Sequence, residues 1–252
     1  MKVLITGGTS GIGRATAKEF ASHGHHVAIT GRRQDRLDAL CRELRELNDV
    51  ETLSLCFDVR ELPACEKAMA SLPDFWKELD VLVNNAGLAQ GLHHIHEGII
   101  EDWETMIDTN IKGLLYMTRL VSPSMVARGH GHIINVSSIA GTDVYPRGNV
   151  YCATKFAVDG LTKAMRLDLY THGIRVSQVS PAHVEETEFA KVRFHGDESR
   201  ARIYDDFKPL KSSDIAEAIY FIASRPEYVN IQDIVIMGTQ QAGTNFIHRS
   251  GR

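Results

Sequence analysis

A glycine-rich turn follows the first apolar run of this chain. Lys2-Val3-Leu4-Ile5 leads into Thr6-Gly7-Gly8-Thr9-Ser10-Gly11-Ile12-Gly13, and a helical pattern opens at Ile12. A strand entering a helix through such a turn constrains the fold more than any other feature of the sequence. Gly7, Gly11 and Gly13 let the backbone turn tightly and approach an anion closely, with Thr9, Ser10 and Ile12 on the same turn. The helix N-terminus then offers unpaired N–H groups and a positive dipole end, which suits a pyrophosphate. The spacing Gly-x-x-x-Gly-x-Gly differs from the commoner Gly-x-Gly-x-x-Gly.

The rest of the chain repeats that alternation. Strand-like runs at 2–6, 26–30, 52–57, 80–84, 132–137, 174–180 and 231–236 alternate with helix-like stretches at 12–23, 34–47, 62–72, 100–128, 150–172 and 213–224. Most of the runs are continuously apolar, as in a parallel sheet covered on both faces. The expected fold class is α/β: a single Rossmann-type doubly wound sheet of about seven parallel strands with helices on both faces. The chain has 252 residues, 43% hydrophobic and 24% charged, with no repeat and no Pro/Gly linker, so one domain over 1–252 is expected. The long charged stretch 182–211 breaks the alternation and reads as a lid over the substrate.

Charge and apolar runs narrow the function classes. The formal net charge is −4 with scattered basic residues, which argues against nucleic acid as a partner. No apolar run reaches the length of a membrane span, and the first strand is too short for a signal peptide's apolar core, so a cytoplasmic protein is expected. The four cysteines, Cys41, Cys56, Cys65 and Cys152, form no Cys-x-x-Cys and read as free thiols in a reducing compartment. Histidines cluster at His93, His94 and His96, and His130 and His132 flank Gly131, but no convincing zinc set accompanies them; no metal is expected.

Two further motifs carry chemistry. The second strand ends in Thr30-Gly31-Arg32-Arg33, where an NAD site would place an acid for the ribose 2′-hydroxyl. Two guanidinium groups there suit a phosphate instead, and favour NADP. Tyr151 and Lys155 stand four apart and share a helix face. A Tyr hydroxyl, with an ordinary pKa near 10, is a poor base at neutral pH, and a neighbouring cation is expected to pull it down.

Together with Asp58-Val59, Asn84-Asn85-Ala86-Gly87 and Ser138, these motifs resemble a classical short-chain dehydrogenase/reductase along nearly the whole chain. The resemblance implies that Tyr151 exchanges a proton with the substrate oxygen. It implies that Lys155 lowers the Tyr pKa and binds the nicotinamide ribose, and that Ser138 donates to the substrate oxygen. Asn110 matches the family's helical Asn, which holds a water leading from Lys155 toward solvent. Asp58 and Val59 would meet the adenine; Asn84, Ala86 and Gly87 would line the cofactor; and Pro181, His183, Val184 and Thr187 would approach the nicotinamide. The family's usual Pro-Gly is Pro181-Ala182 here, where a positive φ would be strained, and Thr187 falls one residue later than the family's Thr. This shift, with Gly148-Asn149-Val150 and Thr239-Gln240-Gln241-Ala242, is similar to the NADP-dependent subgroup acting on short 3-hydroxy acids such as serine and allo-threonine. The alternatives are a broad or biosynthetic carbonyl reductase and a non-catalytic NADP-binding regulator. An acidic substrate would want a guanidinium, and Arg147 and Arg193 are the candidates. The family also implies a homo-oligomer, a tetramer rather than a dimer, built on the long helices.

Overall fold

All seven expected strands pair in parallel in one sheet, in the order β3-β2-β1-β4-β5-β6-β7. They are β1 Lys2–Ile5, β2 His26–Gly31, β3 Thr52–Cys56, β4 Val81–Asn84, β5 Gly131–Val136, β6 Ile174–Pro181 and β7 Asp233–Ile236. This computed structural model describes residues 1–197 and 206–251; residues 198–205, inside the expected lid, and residue 252 lie outside the described residues. The helices are α1 Gly11–Ser22, α2 Gln34–Leu47, α3 Leu62–Ala70, α4 Ile100–Ile107, α5 Leu114–Arg128, α6 Asn149–Leu169, α7 Phe189–Arg193 and α8 Ser212–Ala223.

The continuous apolar runs are explained by burial on both faces. Val3, Leu4 and Ile5 are all fully buried. Successive strand residues point to opposite faces, so Val3 and Ile5 join Phe20, Leu37 and Ile219 in one core, while Leu4 joins Leu82, Met117 and Ile133 in the other. β1 pairs with β2 on one side and β4 on the other, Val3 facing Val27 and Val81. The strand order reverses there, and the carboxyl ends of β1 and β4 open a crevice of the kind that binds ligands in such sheets.

The structure departs from the sequence reading in three places. The single helix expected over 100–128 is broken by a π turn at Asp108–Gly113. Within it Asn110 clips the loop after β4, accepting from the Leu88 N–H and donating to the Leu88 carbonyl, both at 2.9 Å. Gly113 lets Val59 approach, since a Cβ there would lie 2.8 Å from Val59 Cγ2. The helix α7 was not foreseen, because five residues are too few to show a 3.6-residue period. The last strand starts at Asp233, not Ile231, because the Ile231 carbonyl accepts a hydrogen bond from Ser177 Oγ at 2.6 Å.

Candidate active site

The crevice is a cleft of about 840 Å³ above the strand ends. Of the residues expected to bind cofactor or substrate, the cleft is lined by Gly7, Thr9, Ser10, Gly11, Ile12, Arg32, Arg33, Asp58, Val59, Ala86, Gly87, Ser138, Arg147, Tyr151, Lys155, Pro181, His183, Val184, Thr187 and Arg193. Gly13, Asn84 and Asn110 stand behind the wall.

The floor is a backbone construction. Gly7 and Gly11 have φ of 67° and 51°, a left-handed conformation that favours glycine. Gly13 is needed for contact rather than conformation: a Cβ there would lie 2.3 Å from the Gly7 carbonyl oxygen. Asn85 fastens the loop to β4, donating from Nδ2 to the Thr6 and Gly7 carbonyls at 2.9 and 3.1 Å. Thr6 Oγ1 in turn accepts from the Asn85 and Ala86 N–H groups. The expectation for Asn84 is corrected here. Its buried side chain turns away from the cleft and donates to Thr118 Oγ1 and Asn135 Oδ1, because successive residues of a strand face opposite ways.

At the adenosine end, each expected contact already has a partner within the protein. Asp58 is held by Arg60, which donates from Nε and Nη2 at 2.7–3.1 Å. Burial pushes the Asp58 carboxyl up, but the hydrogen bonds from Arg60 outweigh it and hold it below its ordinary value. Arg32 is mostly exposed and stands 3.7 Å from Asp58. Arg33 grips Glu188 with both terminal nitrogens, at 3.2 and 2.8 Å, and also donates to Thr9 Oγ1 at 3.1 Å.

At the other end Tyr151 and Lys155, one turn apart on α6, are both buried. Two basic side chains approach the Tyr151 ring, with Lys155 Nζ 5.9 Å from its centroid and the Arg193 guanidinium 5.5 Å away. Phe189 packs edge-on at 5.6 Å. Ser138 caps the short turn after β5, its Oγ accepting from the Ala140 N–H at 3.1 Å and donating to the Pro181 carbonyl at 3.5 Å. Lys155 Nζ donates to the Val136 carbonyl at 3.0 Å. The Asn110 amide is engaged by Leu88 and Thr154, with both protons of its Nδ2 committed. Gly87 keeps the space between Asn110 and Lys155 open; a Cβ there would lie 3.3 Å from Asn110 Oδ1 and 3.5 Å from Lys155 Nζ.

The direction expected for the Tyr151 pKa is reversed. Burial is the largest influence on the hydroxyl and raises it, and the nearby Ser138 hydroxyl and Arg193 charge lower it only in part. Lys155 is turned to the Val136 carbonyl and is itself brought down to about 8 by burial. Desolvation thus acts on both groups in favour of their neutral forms.

The two candidate guanidinium groups differ. Arg147, at φ 65°, is exposed on the rim. Arg193 is buried on α7 and hydrogen-bonds the Tyr145 hydroxyl, with its Nε donating to the Gly91 carbonyl at 3.4 Å. Among the described residues it has no carboxylate partner. Ala182 does not take a positive φ; Glu186 does, at 61°, so Pro181-Ala182 carries no left-handed strain. Thr187, although one residue late, packs on the glycine loop, its Cγ2 3.0 Å from where a Gly11 Cβ would be. Sequence reasoning missed the roles of Asn85, Tyr145 and Arg36. No spacing rule links residues so far apart, although the Asn84-Asn85 doublet did mark the loop.

A strand–glycine turn–helix crevice, with a buried Tyr–Lys pair at its far end, defines a dinucleotide-binding oxidoreductase. Residues 1–198 match the family model described as short chain dehydrogenase. The chain belongs to the short-chain dehydrogenase family. It is 48% identical to an NADP-dependent 3-hydroxy acid dehydrogenase of Salmonella typhi, over 99% of this chain and 100% of that protein. It is 40% identical to the serine 3-dehydrogenase of Agrobacterium fabrum, over 97% and 96%. Among solved structures, the closed form of serine dehydrogenase complexed with NADP+ superposes with a TM-score of 0.92 at 45% identity, covering 99% of this chain and 100% of that one.

Proposed function

We propose that the protein is an NADP-dependent oxidoreductase interconverting the alcohol and ketone of a short 3-hydroxy acid or hydroxyamino acid. The observation that carries this reading is the Tyr151 ring with both Lys155 and Arg193 within 6 Å of it in the cleft. The relatives' activity on 3-hydroxy acids and serine supports the substrate class.

The residues fit the cofactor. The left-handed glycines and the close Gly13–Gly7 contact shape a tight turn at the N-terminus of α1, which suits a pyrophosphate, and the guanidinium groups after β2 suit a 2′-phosphate. Gly7, Thr9, Ser10, Gly11 and Ile12 would hold the pyrophosphate and ribose; Arg32 and Arg33 the 2′-phosphate; Asp58 and Val59 the adenine. Ala86, Gly87, Pro181, His183, Val184 and Thr187 would line the nicotinamide side. When bound, the cofactor would supply a hydride as NADPH or accept one as NADP⁺. Tyr151 gives its proton to the ketone oxygen during reduction, a task that suits a hydroxyl kept protonated by burial. Ser138 donates a hydrogen bond to the same oxygen, where charge develops. Lys155 orients the ribose and returns a proton toward Tyr151. Asn110 shapes the outlet beside Gly87. Arg193 holds the substrate carboxylate, and Arg147 on the rim guides its entry. The described parts of 182–211 form the lid of this one-domain enzyme.

We further place the protein in the cytoplasm as a homotetramer. The exposed Phe156 and Leu167 of α6 and Tyr170 just beyond it supply an apolar face for assembly, and sedimentation velocity measures it. Among the described residues no helix is long and apolar enough to cross a membrane.

The test follows NADP⁺ reduction at 340 nm with serine and threonine stereoisomers, 3-hydroxypropionate and 3-hydroxyisobutyrate. Tyr151→Phe is expected to bind NADP⁺ as before while turnover drops about a thousandfold or more. Inactivity on all of these acids, with activity on bulky ketones, would replace the substrate class by a carbonyl reductase's.

A further inference from the structure

Glu188 sits where two arginines converge. Arg33, at the end of β2, holds its carboxylate with two hydrogen bonds, and Arg36, on the first turn of α2, adds a third at 2.7 Å. The carboxyl is held down to about 2, chiefly by the hydrogen bond from Arg33. Thr9 of the glycine turn completes the cluster through Arg33 Nη2. Glu188 comes from the segment after β6 and immediately precedes α7, which carries Arg193. Arg33 and Glu188 both line the cleft.

A carboxylate and a phosphate monoester want the same donors: planar, charged N–H groups that bind two oxygens at once. We propose that Glu188 is an internal stand-in for the cofactor's 2′-phosphate, and that binding exchanges one anion for the other on Arg33 and Arg36. This rests on the NADP reading above and adds two residues to it. Arg36 becomes a 2′-phosphate ligand that the β2-end motif does not announce. Glu188 becomes a specificity-determining residue that opposes the anion the site selects. The exchange also has a mechanical side: releasing Glu188 frees the N-terminal end of α7 from α2. Because the side chains of the cluster are 37–46% exposed, solvent screens it, and the effect is modest.

The experiment is calorimetric titration of the full chain with NADP⁺, NAD⁺ and adenosine 2′-monophosphate. With Glu188→Gln, NADP⁺ and adenosine 2′-monophosphate are expected to bind about fivefold tighter, with NAD⁺ unchanged as the internal control for folding. With Arg36→Ala the two 2′-phosphorylated ligands bind about fivefold more weakly, again without effect on NAD⁺. Tryptic cleavage after Lys191 should be faster with adenosine 2′-monophosphate than with adenosine 5′-monophosphate. Weaker or unchanged NADP⁺ binding by Glu188→Gln would overturn the exchange while leaving the oxidoreductase reading intact. Failure of the unaltered chain to bind NADP⁺ at all would overturn both.

Discussion

The floor of the cleft and the wall after β6 are built by different means. The floor is fixed by main chain: left-handed glycines, a Cβ-free contact between Gly13 and Gly7, and Asn85 bonded to two carbonyls. The wall is fixed largely by side chains meeting across long stretches of sequence. Glu188 ties one end of α7 to Arg33 and Arg36, and His195 ties the other to Asp102 at 3.2 Å. Backbone contacts of the first kind have no cheap alternative. Partly exposed ion pairs of the second kind are individually weak and can exchange partners. The floor therefore suits a cofactor shared by a whole family, and the wall suits a part that differs with substrate.

The largest effect should come from Lys155, where floor and chemistry meet. Lys155→Met is expected to lower turnover about a thousandfold or more while stabilising the fold, as when a strained functional group is removed. The sign follows from the lowered pKa. The folded state releases this proton near pH 8, the unfolded chain near 10.5, so holding the charge in the fold is unfavourable below pH 8 and costs nothing above about 10.5. Denaturant unfolding at pH 7 should show the Met variant more stable by about 3 kcal/mol, a gap that closes as pH rises through that window. No gap at pH 7 would mean that the ammonium is solvated.

Next in size is Gly13→Ala. The added Cβ would meet the Gly7 carbonyl at 2.3 Å, and backbone must move. NADP⁺ affinity should fall about a hundredfold by fluorescence titration, with stability down by about 3 kcal/mol. Then comes the wall. Arg193→Ala should raise the KM for the acidic substrate about thirtyfold, the worth of one charge-assisted pair, with the KM for NADP unchanged. Equal rises in both would remove Arg193 from the substrate. The smallest effect should be His195→Ala. His195 is half exposed but its partner Asp102 is buried, so losing this bond should cost about 1 kcal/mol by thermal melting.

The same division explains what the sequence disclosed. Every strand was legible within two residues of its observed ends, because apolar runs of a doubly covered sheet need no knowledge of partners. The glycine turn was legible because its geometry is local. The Tyr151–Lys155 pair was legible as a helix face, but its electrostatics was not. Whether a cation or burial governs a hydroxyl depends on where Lys155 Nζ points, and it points to Val136. Asn84 ends β4 with its side chain turned from the cleft, whereas Asn85, the first loop residue, turns to the glycine turn; which of the two faces the cleft depends on register that the sequence does not display. The Glu188 cluster was hidden because its members are 155 residues apart.

The π turn at Asp108–Gly113 makes the length of one helix part of the design. A π turn of six residues winds about as far as five residues of regular α-helix, so deleting one residue there would let the segment rewind with α5 still facing the sheet, whereas deleting one at the start of α5 itself would swing everything beyond it by about 100°. The first change would endanger only the clip between Asn110 and Leu88; the second would turn Met117, Val121 and Met125, now buried, toward water. Loops on the surface of this enzyme can shrink or grow at little penalty, whereas this helix has to be counted out residue by residue.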